Sequence, residues 1–291
     1  MQFKAYQHIE RLGRPEVEGI LSGNVYIFDK LDGSNVSIYL NDAGEVEVAS
    51  RNRIVSPADP LRGVLAYVDS NPAFKNFFAE HPDLRLFGEW LIPHVVRNYE
   101  NDAWRKIYIF DVMDGNRYLR YEQYEHLLRL YGIDFIPVIA KLFNPTEELV
   151  SRYVEHCTFL TSEGLGEGIV VKNYDFVNKF GHTVWAKVKI PKVTPLSKSP
   201  PSLPVDGVET QIIDSFLTPE LIEKEFSKLI IDNGGVWNIN LFGKLLGCIW
   251  HEFITEETFA FIKKFHNPKI DFALLKRLAV DKVKLVKAEL F

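Results

Sequence analysis

Seven short runs in the first two-thirds of the chain either alternate apolar and polar residues or concentrate β-branched ones. They are VYIFDK (25–30), NVSIYL (35–40), EVEVAS (45–50), LRLFGEWL (84–91), KIYIFDVM (106–113), EGIVVKN (167–173) and TVWAKVKI (183–190). A period of two puts successive side chains on opposite faces, so each run predicts a strand. Asp32-Gly33 separates the first two runs, Ala43-Gly44 the next two, and Gly181-His182 helps separate the last two. Helical spacing is confined here to Pro60–Phe78 and Glu122–Tyr131. The mixture predicts an α+β domain built on antiparallel sheets.

The pattern changes near residue 200. Pro191, Pro195, Pro200, Pro201 and Pro204 fall among Ser, Thr and Lys, a composition that continues neither a helix nor a central strand and reads as a linker. Beyond it the apolar spacing is helical. Val208–Phe216 forms one segment, and Thr218-Pro219-Glu220 reads as N-cap, first-turn proline and first-turn acid of the next, which Asn233-Gly234-Gly235 stops. Thr255-Glu256-Glu257 and Asp271 are expected to open two more. Two domains follow, 1–200 and 201–291, as a length of 291 residues also suggests.

Composition narrows the classes. With 46% hydrophobic and 25% charged residues the chain is not globally disordered. Cys157 and Cys248 cannot build a disulfide framework or a Cys-rich zinc site. No run of 18 apolar residues or apolar leader is present, so the expected compartment is reducing cytoplasm with no membrane partner. A net charge of -5 argues at first against a polyanionic partner. The distribution reverses that inference. Residues 172–198 hold six lysines against Asp175, a local +5, and residues 263–287 hold eight basic residues against Asp271 and Asp281, a local +6. Either stretch reads as a solvated face or as a phosphate-tracking surface.

Candidate chemistry starts at Lys30-Leu31-Asp32-Gly33-Ser34-Asn35, where a lysine leaves one predicted strand and a tight turn follows. This is either a surface hairpin or a nucleophilic lysine. A lysine amine must be neutral to attack, which burial or nearby cations favour, and Lys187 and Lys189 are candidates for those cations. At i and i+2 those two share one side of a strand. Ser50-Arg51-Asn52-Arg53, Phe87-Gly88-Glu89-Trp90, Tyr108-Ile109-Phe110-Asp111 and Glu167-Gly168-Ile169-Val170-Val171-Lys172 complete the set. No P-loop or G-x-G-x-x-G fingerprint accompanies them, which excludes the usual ATPase and kinase signatures. His94 falls just past the Glu89 strand, where a lone histidine is more often structural. Asp102-Ala103-Trp104-Arg105-Lys106 is either a substrate surface or a packed corner.

Each string alone is common. In this order they resemble motifs I, Ia, III, IIIa, IV and V of the covalent nucleotidyltransferase superfamily, which contains RNA ligases, DNA ligases and capping enzymes. The S-R-N-R and G-E-W strings and the helical C-terminal region are most similar to the RNA ligase 2-like group. Asp32 departs from that group's founding members, which carry His there. The resemblance implies an antiparallel-sheet, ATP-grasp-like nucleotidyltransferase (adenylation) domain followed by a small all-helical domain. It further implies that Lys30 forms a lysyl-AMP, and that Arg51 contacts the nucleotide or a 5′-phosphate. Glu89 would bond the ribose, Phe110 stack on adenine, and Glu167 position a divalent metal. Lys187 and Lys189 would hold the α-phosphate with Lys172 close by, and Asn35 touch the phosphate or terminal hydroxyl. The implied cofactors are ATP and Mg2+, with Mn2+ as an alternative. The implied partner is RNA at nicked or bridged ends, with DNA as the alternative substrate.

Overall fold

A computed structural model describes residues 1–57, 61–93, 96–190, 207–233 and 235–290. The chain divides into two compact units, Met1–Pro191 and Lys192–Phe291. The proline cluster, Pro60 and His94 lie outside the described residues.

In the first unit every run that alternates in sequence becomes a strand. In chain order the strands are β1 (Glu10–Arg11), β2 (Asn24–Lys30), β3 (Ser34–Leu40), β4 (Val46–Ser50), β5 (Leu84–Trp90), β6 (Ile107–Asp114), β7 (Arg117–Tyr118), β8 (Val138–Phe143), β9 (Gly168–Lys172) and β10 (Ala186–Lys189). They form two five-stranded sheets, ordered β1-β10-β9-β2-β8 and β4-β3-β5-β6-β7. Pairing is antiparallel except between β1 and β10, which run parallel. The Asp32-Gly33 turn is not a hairpin. β2 belongs to the first sheet and β3 to the second, so the turn is a corner that carries the chain between sheets. By contrast, Ala43-Gly44 does close the β3–β4 hairpin, with Val36 opposite Ser50. Tyr6, Phe87, Met113, Val170 and Trp185 form one buried cluster that joins residues of both sheets.

The expected Pro60–Phe78 helix is two, α1 (Val64–Ser70) and α2 (Pro72–Glu80). Pro72 has no N–H to continue the first helix and holds Asn71 extended. The Asn71 side chain then accepts a 3.0 Å bond from the Ala73 N–H and starts the second helix. Helices α3 (Tyr121–Tyr131) and α4 (Glu147–Arg152) complete the unit.

Described residues of the second unit form helices and turns: α5 (Val208–Phe216), α6 (Pro219–Asp232), α7 (Phe242–Lys264) and α8 (Phe272–Val286). Thr218 and Asp271 cap α6 and α8 through their side chains. Thr255-Glu256-Glu257 does not open a helix but lies inside α7. Leu245, Ile249 and Phe253 recur every four residues and are buried, so their shared face carries the helix past the cap-like string. Ile213, Ile249, Phe253 and Leu275 belong to the core on which these helices pack. The basic 263–287 stretch is not one exposed face. The Lys282 amine turns inward to the Ile213 carbonyl at 3.0 Å, and Lys287 pairs with Glu223 at 2.5 Å. Lys263, Lys264, Lys269, Lys276, Arg277 and Lys284 remain exposed.

Candidate active site

Lys30 ends β2, at the rim of the first sheet. The next three residues turn the corner, and each is constrained. The Asp32 carboxylate accepts the Val96 N–H at 2.7 Å, and its own N–H donates to the Tyr99 hydroxyl at 3.0 Å. Asp32 thereby clamps the segment following β5 against the corner. Gly33 lies so close to β5 that a Cβ would come within 2.5 Å of the Trp90 carbonyl oxygen and 2.9 Å of Glu89 Cγ. Its N–H donates to Glu89 Oε1 at 2.9 Å. The K-x-D-G string therefore fixes Lys30, on one sheet, relative to Glu89 on the other.

Glu167 immediately precedes β9, whose first residue, Gly168, is opposite Lys30. Gly168 has φ +150, and a side chain there would collide with the Val188 carbonyl of β10. This close packing brings three chain segments together at Glu167. Its carboxylate accepts from Lys30 Nζ at 2.5 Å and pairs with Lys189 Nζ at 3.2 Å. Side-chain exposures of 20% for Lys30, 11% for Glu167 and 28% for Lys189 leave the cluster open to a ligand. Lys187 stands two residues before Lys189 on the same side of β10 and is buried. Across the corner, Glu89 is half-buried. Burial pushes its carboxyl up to about 7, against the attraction of Lys30 and with a smaller contribution from Glu167. Asn35 is directly opposite Glu89 in the β3–β5 ladder.

Lys30, Glu167, Lys189, Glu89 and Asn35 are thus brought to one locality. Arg51 is displayed, exposed, on a turn after β4 that Ser50 organises through bonds to Arg53. Phe110 is half-buried on β6. Lys172 ends β9 at the far end from Glu167, and its side chain is 2% exposed. Its amine bonds Asp111 at 2.8 Å and the Phe110 carbonyl at 2.6 Å. Lys187 is opposite Val170 in the β9–β10 ladder, so Lys172, two residues on, shares that face and lies diagonal to Lys187, buried behind Phe110. Burial was invisible in sequence because Lys172 follows an apolar run that could end either inside or outside the core. The 102–106 segment packs in part: Ala103 is buried and Trp104 lies edge-on to Tyr99 at 5.3 Å, while Asp102 and Arg105 are exposed. Asp32 and Asp111 stand within the motif strings and Tyr99 outside them, and the contacts all three make with distant segments leave no mark in local spacing.

The donor set suits a hard divalent cation. Glu167 supplies one part-exposed carboxylate beside two ammonium groups, and no group of three or more His, Cys, Asp or Glu side chains assembles among the described residues. Mg2+ typically takes one or two carboxylates and completes its shell with phosphate oxygens and water. No described helix is long and apolar enough to cross a membrane.

The RNA ligase family model matches residues 23–189, more than half of the chain and all of the residues just described. The chain belongs to the RNA ligase family. Among solved structures it is similar to a Naegleria gruberi RNA ligase with pyrophosphate, at 19% identity and TM-score 0.53, covering 64% of this chain and 56% of that one. A single-residue variant of that ligase with ATP and Mn matches at 20% identity and TM-score 0.52, covering 63% and 55%. An archaeal ATP-dependent RNA ligase matches at 17% identity and TM-score 0.52, covering 91% of this chain and 67% of that one. At these identities the likeness is one of fold. The chain spans little more than half of the Naegleria ligase. No curated protein sequence matches it.

Proposed function

We propose that the chain is an ATP-dependent RNA ligase that joins 3′-hydroxyl and 5′-phosphate ends, with residues 1–200 as the adenylation domain and 201–291 as a helical C-terminal domain. The observation that carries this reading is the Lys30–Glu167–Lys189 cluster, held opposite Glu89 at the corner between the two sheets. Nucleotidyl transfer needs a nucleophile, positioning, and positive charge where the transferring phosphate becomes more negative. The cluster has all three.

In the first step Lys30 leaves its bond to Glu167, loses its proton, and attacks the α-phosphorus of ATP. An N–P bond forms, the bond to the bridging oxygen breaks, and pyrophosphate departs. A 5′-phosphate oxygen then displaces Lys30 from the AMP. Finally a 3′-hydroxyl attacks the activated phosphate, and AMP leaves. Lys187 and Lys189 hold the α-phosphate, Glu89 bonds the ribose, Phe110 stacks on adenine, Arg51 contacts the nucleotide or the 5′-phosphate, and Asn35 touches the phosphate or the terminal hydroxyl. Glu167, once free of Lys30, would hold Mg2+ or Mn2+ together with phosphate oxygens. A bound cation would neutralise phosphate charge.

Incubation with α-labelled ATP and Mg2+ should label the chain covalently, and Lys30→Ala should remove the label. Equal labelling of the variant sinks the reading. Nicked duplexes with RNA or DNA on the 3′-hydroxyl side then decide the substrate. Equal sealing of an all-DNA nick would replace RNA ligase by a ligase of mixed specificity.

A further inference from the structure

Phe110 occupies a break in the β5–β6 ladder. Phe87 pairs with Asp111 and Gly88 with Ile109, so Phe110 has no residue opposite it. A bulged residue leaves strand register, and its direction depends on what grips it locally. Here the grips are side chains. Lys172 Nζ donates to the Phe110 carbonyl at 2.6 Å, and the Tyr124 hydroxyl donates to the same oxygen at 3.2 Å. The Tyr6 ring packs edge-on against the Phe110 ring, with centroids 5.0 Å apart. Lys172 is itself fixed by Asp111 at 2.8 Å. The other Asp111 oxygen accepts from the Tyr6 hydroxyl at 2.5 Å and from Trp185 Nε1 at 3.1 Å. Asp111 is 0% exposed and Lys172 1%.

A charged network this deep is costly to bury and persists only when its members are satisfied. An apolar filling would pack the space between the sheets at lower cost. What the network adds is direction, because hydrogen bonds fix angles where apolar contacts do not. We propose that Tyr6, Tyr124, Asp111 and Lys172 are positioning residues for the nucleotide base. By gripping the bulge from behind, they set the plane that Phe110 offers to the purine. The proposal rests on the reading of Phe110 as the stacking residue. It extends the nucleotide site to Tyr6, which lies outside the 23–189 segment matched by the family model.

The test measures equilibrium binding of ATP, and of inorganic tripolyphosphate as a probe without a base, to the full chain. Tyr6→Phe removes one hydroxyl and keeps the ring; Tyr124→Phe is a second variant of the same kind. Each should weaken ATP binding by roughly fivefold to fiftyfold, within the range a base–aromatic stack contributes, and leave tripolyphosphate binding unchanged. Phe110→Ala should show a loss at least as large, and adding Tyr6→Phe to it should cause no further loss. If Phe110→Ala binds ATP normally, the stacking reading fails and the proposal with it. If Phe110→Ala weakens binding but both tyrosine variants bind ATP normally, the positioning proposal alone is overturned. It is also overturned if those variants lose ATP and tripolyphosphate equally, or if the effects simply add in the double variant.

Discussion

Lysine–carboxylate contacts stand at both ends of strand β9, two at one end and one at the other. Glu167, just before its first residue, binds Lys30 and Lys189; Lys172, its last residue, binds Asp111. The distances are similar, 2.5 and 3.2 Å at one end against 2.8 Å at the other. The surroundings are not. At the first end the side chains are 11–28% exposed, and at the second 0–2%. An open pair can exchange partners, so a phosphate can replace the carboxylate beside an ammonium. A sealed pair cannot exchange without unfolding its surroundings, so it serves geometry. Reading charge pairs as stabilising contacts would miss this division of labour.

The comparison can be broken at several points. Lys30→Ala should lower adenylate formation by on the order of a thousandfold or more, since the proposed nucleophile is lost. The melting temperature should stay within a few degrees of the parent by calorimetry. A large drop would make Lys30 a structural residue like Lys172. Next in size, Lys172→Met should cost about 3–5 kcal/mol in chemical denaturation, because Asp111 is left buried with its charge unpaired. Adding Asp111→Asn should recover more than half of that loss, by removing the orphaned charge while keeping acceptors for Tyr6 and Trp185. No recovery would mean that lost packing, not charge, set the cost.

A smaller effect is a pH slope. Glu89 is pushed from its ordinary 4.5 up to about 7 by burial, and Asp29 from 3.8 to about 6, also by burial. Each folded carboxyl keeps its proton over a range where the unfolded chain has lost it. Their contribution to stability is therefore full below the unfolded values and is lost as pH rises toward 6 for Asp29 and 7 for Glu89. Denaturation midpoints measured from pH 4 to 8 should show this decline, and Glu89→Gln should flatten its upper part. An unchanged slope would relocate the effect. The smallest change is expected at Arg120–Asp175, an ion pair with side chains 45% and 55% exposed. Arg120→Ala should alter stability by less than about 1 kcal/mol; a larger loss would show that exposure is a poor guide to which pairs matter.

Much of the first unit was legible because its strands are half-buried ribbons whose alternation survives in sequence. The exceptions have physical causes. β1 and β7 are two residues long, too short to show a period, and β8 is a partly exposed edge strand with little buried surface to impose one. The start of α7 carries no sequence signal because no polar side chain caps it. At the site, residue types and order pointed to Lys30, Glu89, Glu167 and Lys189, which do gather. In sequence Asp32 shows only as a turn residue, since its contacts are with Val96 and Tyr99, more than sixty positions away. Lys172 and Tyr6 share that limit. Neither motif nor period reveals that one side chain closes over another from a distant segment.

The parallel pairing of β1 with β10 also has a consequence for how copies of the chain meet. Through Glu10 N–H to the Trp185 carbonyl and Leu12 N–H to the Lys187 carbonyl, both at 3.0 Å, this short segment covers the open side of the strand that bears Lys187 and Lys189. Without it, that strand would present unpaired backbone groups to a second molecule, the usual template for edge-to-edge aggregation. Residues 10–12 therefore act as a cover for that edge as well as a part of the sheet.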